Sequence, residues 1–224
     1  MSRQSLVALR EECDALTRDV LYLPEEAFGK PTRLPAWNVK ELFGHIHRSI
    51  NDRINSALEG PSPEAPEVDS VTYFRSYDPA TDSQDVADRA KGVAAGFATG
   101  HELALAWADA WPRTLARAGG ADPALVIVTF GPAIAFEEYL KTRVLEVTVH
   151  RMDLEHALGR KGWGTDEAIS IVDDILVGLL GEQPPSNLDW DAIEFIDTGT
   201  GRRPLSDGER RMLGPLASRF PLLA

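Results

Sequence analysis

The feature that most constrains this chain is the recurrence of apolar residues at intervals of three and four over several long stretches. That spacing puts them on one side of a helix and leaves the other side polar. Leu6, Leu9, Cys13, Leu16 and Val20 predict a first helix over about Ser2 to Leu23. After a loop holding Pro24, Pro31 and Pro35, Asn38 and Glu41 stand in capping-box register. The arc Val39, Leu42, Phe43, Ile46, Ile50, Ile54 and Ala57 then predicts a second helix, which Gly60 ends. Val86, Ala90, Val93, Phe97, His101 and Ala104 predict a third from Ser83 to Trp111, where Pro112 is expected to interrupt it. A fourth is expected from near Ala133 to the stop signal Gly159, and a further one over Asp166 to Leu180.

The remaining segments lack that period. Pro61 to about Thr81 mixes Pro, Ser, Asp and aromatics, a long connection that could cover a site. LVIVTF predicts a short strand or extended piece, and in the tail AIEFI is strand-like, TGTGRRP a turn, and a short helix starts near Ser206. The expected fold is mainly α: an antiparallel helical bundle over residues 1–182, with a short C-terminal α/β segment, 183–224, packing on it.

Charge and cysteine content narrow the function. Lys and Arg number 23 against 35 Asp and Glu, a net charge of −12 over 224 residues, which repels nucleic acid and anionic lipid. Apolar runs such as Ala124 to Val128 fall far short of the roughly twenty residues a membrane helix needs. The first residues do not resemble a secretory signal, so a cytoplasmic protein is expected, as monomer or homodimer. The single cysteine, Cys13, sits in the apolar stripe of the first helix and reads as a small buried hydrophobe. A metal would therefore use His and carboxylate ligands.

No GxxxxGK, GxGxxG, GxSxG, HExxH or CxxC motif occurs, which leaves the histidines and the carboxylates near them. On the fourth helix Glu146 and His150 are four residues apart, so their directions differ by about 40°. Leu145 and Val149 flank them on one side and Val147, Leu154 and Leu158 on the other, so the pair lies in the middle of an apolar face. A carboxylate there needs a cation, a hydrogen-bond donor or a metal. Pairing with Arg143 would meet that need, with His150 a satisfied core histidine. So would a metal completed by a third ligand from a facing helix. His47 lies about 20° beyond one edge of the second helix's arc and His45 about 60° beyond the other, while His101 is on the stripe of the third. Periodicity leaves all three open.

Two runs decide further. LPAWNVKELFGHI, with a Trp, a helix start and a His eight residues after the Trp, resembles the N-terminal signature of the mycothiol-dependent maleylpyruvate isomerase family, part of the DinB-like metalloenzyme superfamily. YLKTRVLEVTVHRMDLEHALG is similar to that family's second signature: an Arg, then Glu-x3-His, then Asp-Leu and Ala-Leu-Gly. The tail GTGRRPLSDGERRMLGPLASRFPLL looks like the ending of actinobacterial members.

The resemblance implies a DinB-like four-helix bundle with His45, Glu146 and His150 as ligands of a divalent metal, usually zinc. It also implies mycothiol as a co-substrate thiol. The founding isomerase has a larger C-terminal α/β domain with a catalytic arginine, whereas only a short segment follows Leu188 here. Arg202 and Arg203, in the Gly-rich turn, are the candidates to hold a substrate carboxylate. Asp153 falls on the stripe of Glu146 and His150 and is a candidate to orient a ligand, with a solvated or capping role as the alternative. The expected function is thiol addition to, or transfer onto, a small electrophile, by an isomerase or S-transferase. The competing readings are a metal-dependent hydrolase using bound water and a non-catalytic metal-containing bundle that binds a small ligand or a protein.

Overall fold

The computed structural model describes residues 4–76, 79–122, 124–129 and 131–223. Helix α1 spans Gln4–Val20. Helix α2 spans Val39–His47 and opens on the expected capping box, in which the Asn38 side chain accepts from the Glu41 backbone N–H and Glu41 accepts from that of Asn38. The second apolar arc is not one regular helix. A π turn, Arg48–Asp52, separates α2 from α3, Arg53–Glu59.

The third expected helix is two, α4 at Pro79–Ala95 and α5 at Gly100–Gly119. The chain breaks after Gly96, and Thr99 caps α5 by accepting from the Glu102 N–H. Pro112 lies inside α5 without ending it. Its missing N–H removes one backbone bond, and the buried face of Trp107, Trp111, Leu115 and Ala118 keeps the helix in place. Strands β1, Val126–Ile127, and β2, Ile134–Ala135, pair antiparallel, so the fourth expected helix starts a little later, as α6 over Phe136–Ala157. Helix α7 is Asp166–Leu180, ended by Gly181 at φ 89°. In the tail, AIEFI is helical, not a strand. It forms most of α8, Ala192–Gly199, because Asp191 and Glu194 make a capping box and Phe195 and Ile196 are buried on one face. Helix α9, Asp207–Leu213, starts at Ser206 as expected.

Helix α1 packs on α5, α6 and α7, α2 on α4 and α6, and α3 on α5. The core is continuous, with Leu9, Leu16, Phe43, Ile46, Trp107 and Leu140 at its centre, and Phe195 and Ile196 of α8 belong to it. Leu188, Leu205 and Leu213 form a small satellite under the tail. Gly44 is where α2 meets α4: a Cβ there would lie 3.0 Å from the Ala90 carbonyl oxygen and 3.1 Å from the Ala94 nitrogen. The connection after Gly60 is held by bridges from Pro61 to Ile127 and Val68 to Ile134, and Thr72–Ser76 forms a 3-10 turn. Tyr77 and Asp78 lie outside the described residues. Among the described residues no helix is long and apolar enough to cross a membrane.

Helix α6 is the central strut and is buried on most of its sides, although it carries many charges. The buried ones are held by partners on other elements as well as by neighbours on α6. Arg151 donates to Glu12 of α1 at 2.8 Å, to Glu155 at 2.6 Å and to the Trp163 carbonyl at 2.7 Å, and lies 4.3 Å over the Trp163 ring. Burial pushes the Glu155 carboxyl up to about 7, against the opposing charge of Arg151. An unfolded Glu titrates at about 4.3, so between these values the folded chain binds the extra proton and stability falls as pH rises. Lowered histidine pKa values such as that of His45 act in the opposite sense, so the Glu155 contribution is read as a difference: the urea midpoint of wild type relative to Glu155→Gln should fall between about pH 5 and about pH 8. A difference that does not change with pH would mean that Glu155 does not titrate in that window.

Candidate functional site

The site is built where α2 faces α6. One helical turn separates Glu146 from His150, and the α2–α6 packing brings His45 across to them. The His45 Nε2 lies 3.1 Å from Glu146 Oε2, and His150 Nε2 lies 3.6 Å from the same oxygen. One ligand-type atom from each of the three residues falls within 4.8 Å of the others, the only such group among the described residues. Two imidazoles and a carboxylate at this spacing, on the wall of a cavity, are a donor set that suits a divalent metal with positions left open.

The surroundings fix each member. Trp37, in the loop before α2, stacks on His45 with ring centroids 4.9 Å apart, and the two histidine rings meet edge to face at 4.8 Å. Burial pushes the His45 pKa down, so its ring is neutral, while the hydrogen bond to Glu146 opposes that shift. Burial alone would raise Glu146. The hydrogen bond from His45 and the charge of Arg143 instead hold it well below the usual carboxylate range. Arg143 is itself buried and donates to Ser49 Oγ at 2.9 Å, with its guanidinium 4.9 Å from the Tyr139 ring centre. Asp153, fully buried on α6, accepts from His150 Nδ1 at 3.0 Å, from Arg33, and from Arg202 Nη2 at 3.0 Å.

The cavity is about 740 Å³ and opens onto all three ligand-type residues. Its wall carries five arginines, Arg48, Arg53, Arg89, Arg143 and Arg202, against two carboxylates, Asp85 and Glu146. In a chain of net charge −12 this is a strong local reversal of sign. The π turn makes part of it. Residues five apart in a regular helix differ by about 140°, but the Arg53 N–H donates to the Arg48 carbonyl, closing five residues into one turn and bringing both arginines to the cavity. Burial, then the charge of Arg48, push the Arg53 pKa down to about 10. Tyr73 and Phe74, from the aperiodic connection, also line the cavity, so that segment does cover it in part.

The other sequence candidates lie elsewhere. His47 points to the opposite side of α2, with Phe97 and Trp107 at 6.1 and 6.3 Å, and lines a second cavity of about 370 Å³. His101 is at the solvent-exposed start of α5, where the helix break has taken it off the expected stripe. Cys13 is fully buried, and burial pushes its thiol well up. Arg202 lines the cavity, its guanidinium bound to Asp153 and the Thr200 carbonyl. Arg203 turns to Glu209 at 2.7 Å and lies over Trp190, outside the cavity wall. Sequence reasoning missed Arg33, Arg48 and Arg53, which no motif marks.

Residues 9–155 match the family model described as the mycothiol maleylpyruvate isomerase N-terminal domain. The chain belongs to that family. Among solved structures, it is similar to a histidine-to-alanine mutant of the mycothiol-dependent maleylpyruvate isomerase, at 17% identity and a TM-score of 0.48, over 82% of this chain and 70% of that one. No curated protein matches the chain.

Arg143→Met keeps the bulk but removes the buried cation next to Glu146. Urea unfolding of the metal-free protein should show a loss of about 1 kcal/mol or more, from the lost hydrogen bond to Ser49 and the weaker compensation of Glu146. A loss within about 0.5 kcal/mol, the usual range for surface changes, would mean that another group compensates the carboxylate.

Proposed function

We propose that this chain is a metal-dependent and mycothiol-dependent enzyme that joins a thiol to a small anionic electrophile, as an isomerase or an S-transferase. The observation that carries it is the convergence of His45, Glu146 and His150 on the wall of an arginine-lined cavity. Zinc, held by these three, would supply a Lewis-acid centre that lowers the pKa of a thiol and presents it as thiolate. Neutral His45 and anionic Glu146 are the protonation states such a centre asks of its ligands. Trp37 keeps His45 in orientation, and the apolar parts of Leu145, Val149 and Phe74 limit water around the reacting atoms.

The arginines set the substrate class. Addition of a thiolate to an unsaturated carbonyl forms a C–S bond and moves an electron pair onto the carbonyl oxygen. Arg48 and Arg53 face the cavity where such charge would be stabilised. Rotation about the freed C–C bond, followed by expulsion of the same thiolate, gives a geometric isomer with no net change in composition. Departure of a different leaving group gives transfer instead. The nucleophile comes from the cofactor thiol, which accounts for a chain whose one cysteine is sealed in the core.

Two measurements test this. Purified protein should take up about one cobalt or zinc per chain, His45→Ala should abolish uptake and His47→Ala should leave it intact. The reverse pattern would place the third ligand on the other side of α2. Titrating mycothiol into the cobalt-loaded protein should add an intense sulfur-to-cobalt charge-transfer band in the near ultraviolet. A spectrum unchanged at millimolar thiol would refute thiol activation and favour hydrolysis by bound water.

A further inference from the structure

Arg33, in the loop before α2, and Arg202, in the turn after α8, come from opposite ends of the chain and close on one carboxylate. Asp153 is fully buried and receives Arg33 Nε, Arg202 Nη2 at 3.0 Å, Arg202 Nε at 3.3 Å, and His150 Nδ1 at 3.0 Å. Arg33 reaches on to Asp197 of α8 at 2.9 Å, and the backbone N–H groups of Arg202 and Arg203 both donate to the Asp197 carbonyl. The turn is thereby stitched to the site, with Gly201 at φ 74° allowing it to fold back.

A carboxylate faced by two guanidiniums is an anion and can only accept hydrogen bonds. The proton between Asp153 and His150 therefore sits on His150 Nδ1, and Nε2 is the nitrogen turned toward Glu146. We infer that Asp153, clamped by Arg33 and Arg202, is the positioning residue for His150, so that the C-terminal turn acts on the ligand cluster rather than on substrate. This rests on the metal reading above for its effect on binding, but the proton placement stands on geometry alone. Stability does not explain the arrangement, since well-packed apolar residues in place of a buried ion cluster are often as stable. Such residues cannot provide a fixed acceptor behind a histidine. Arg202 also has both edges of its guanidinium engaged, by Asp153 and by the Thr200 carbonyl, which suits a clamp better than a free anchor for a carboxylate.

The test uses the full chain with Asp153→Asn, Arg202→Ala and Arg202→Lys, and has two readouts. Long-range proton–nitrogen NMR of the metal-free proteins reports which His150 nitrogen is protonated, and competition titration reports cobalt affinity. Wild type should show protonated Nδ1. Asp153→Asn should show a mixture of tautomers and about 10- to 100-fold weaker cobalt binding. Arg202→Ala should shift both in the same direction, and Arg202→Lys, which returns the charge, should recover most of each. If Arg202→Ala does not fold, the comparison of Asp153→Asn and Arg202→Lys with wild type decides. Wild-type tautomer and affinity in Asp153→Asn would overturn the inference. So would an Arg202→Ala variant with normal affinity but raised KM for an anionic substrate, which would restore Arg202 as a substrate anchor. A wild type that takes up no cobalt would instead defeat the metal reading, and the tautomer measurement would still judge the role of Asp153.

Discussion

Helix α6 is buried on most sides and yet carries Arg143, Glu146, His150, Arg151, Asp153 and Glu155 within four turns. A charge in such a place is sustained only by a partner of opposite sign or a hydrogen-bonding group, and the rest of the fold is arranged to provide them. Helix α1 gives Glu12 to Arg151, α2 gives His45 to Glu146, the π turn gives Ser49 to Arg143, and the tail gives Arg202 to Asp153. The polar partners thus come from elements that also bury apolar surface against α6. Packing and ion pairing specify the same neighbours, the agreement between levels expected of a sequence that encodes one fold.

The two sides of α6 use this differently. Around Arg151 the groups bond to one another and to backbone, which closes them. Around Glu146 and His150 the pairing is incomplete on the cavity side, and that is where the ligand-type atoms converge. The same rule, that buried charge must be answered, therefore gives a locked joint at one end of the helix and an open donor set in its middle.

Much of this was legible in the sequence. Helix α7, the cap at Asn38 and the start of α9 near Ser206 follow from spacing and capping chemistry alone, which act over a few residues. The misses were those in which distant contacts overrule local preference. Pro112 is carried inside α5 by a buried tryptophan-rich face, and AIEFI, β-prone by composition, is helical because its caps and its buried pair favour that state. The choice between His45 and His47 eluded the helical wheel for a definite reason. Each lies outside one edge of the apolar arc of α2, on opposite sides, so the wheel offers both edges a histidine and does not say which edge faces α6. What separates the two histidines is which neighbour each meets, α6 or the Phe97–Trp107 side, and only the family signature carried that information.

The π turn also divides one rod into two with independent phase. Helix α2 meets α6 with His45, while α3 is rotated relative to it by the extra residue, and Arg53 comes to the cavity only through that rotation. Removing one residue from Arg48–Asp52 would restore a continuous helix and swing everything after it by about 100°. His45 precedes the turn and Glu146 and His150 lie on α6, so that rotation would leave the ligand face where it is while turning Arg53 from the cavity and Ile54 and Ala57 from the core. The length of this turn thus ties the cavity's arginine wall to the packing of α3, so that the register which buries Ile54 is also the one that presents Arg53.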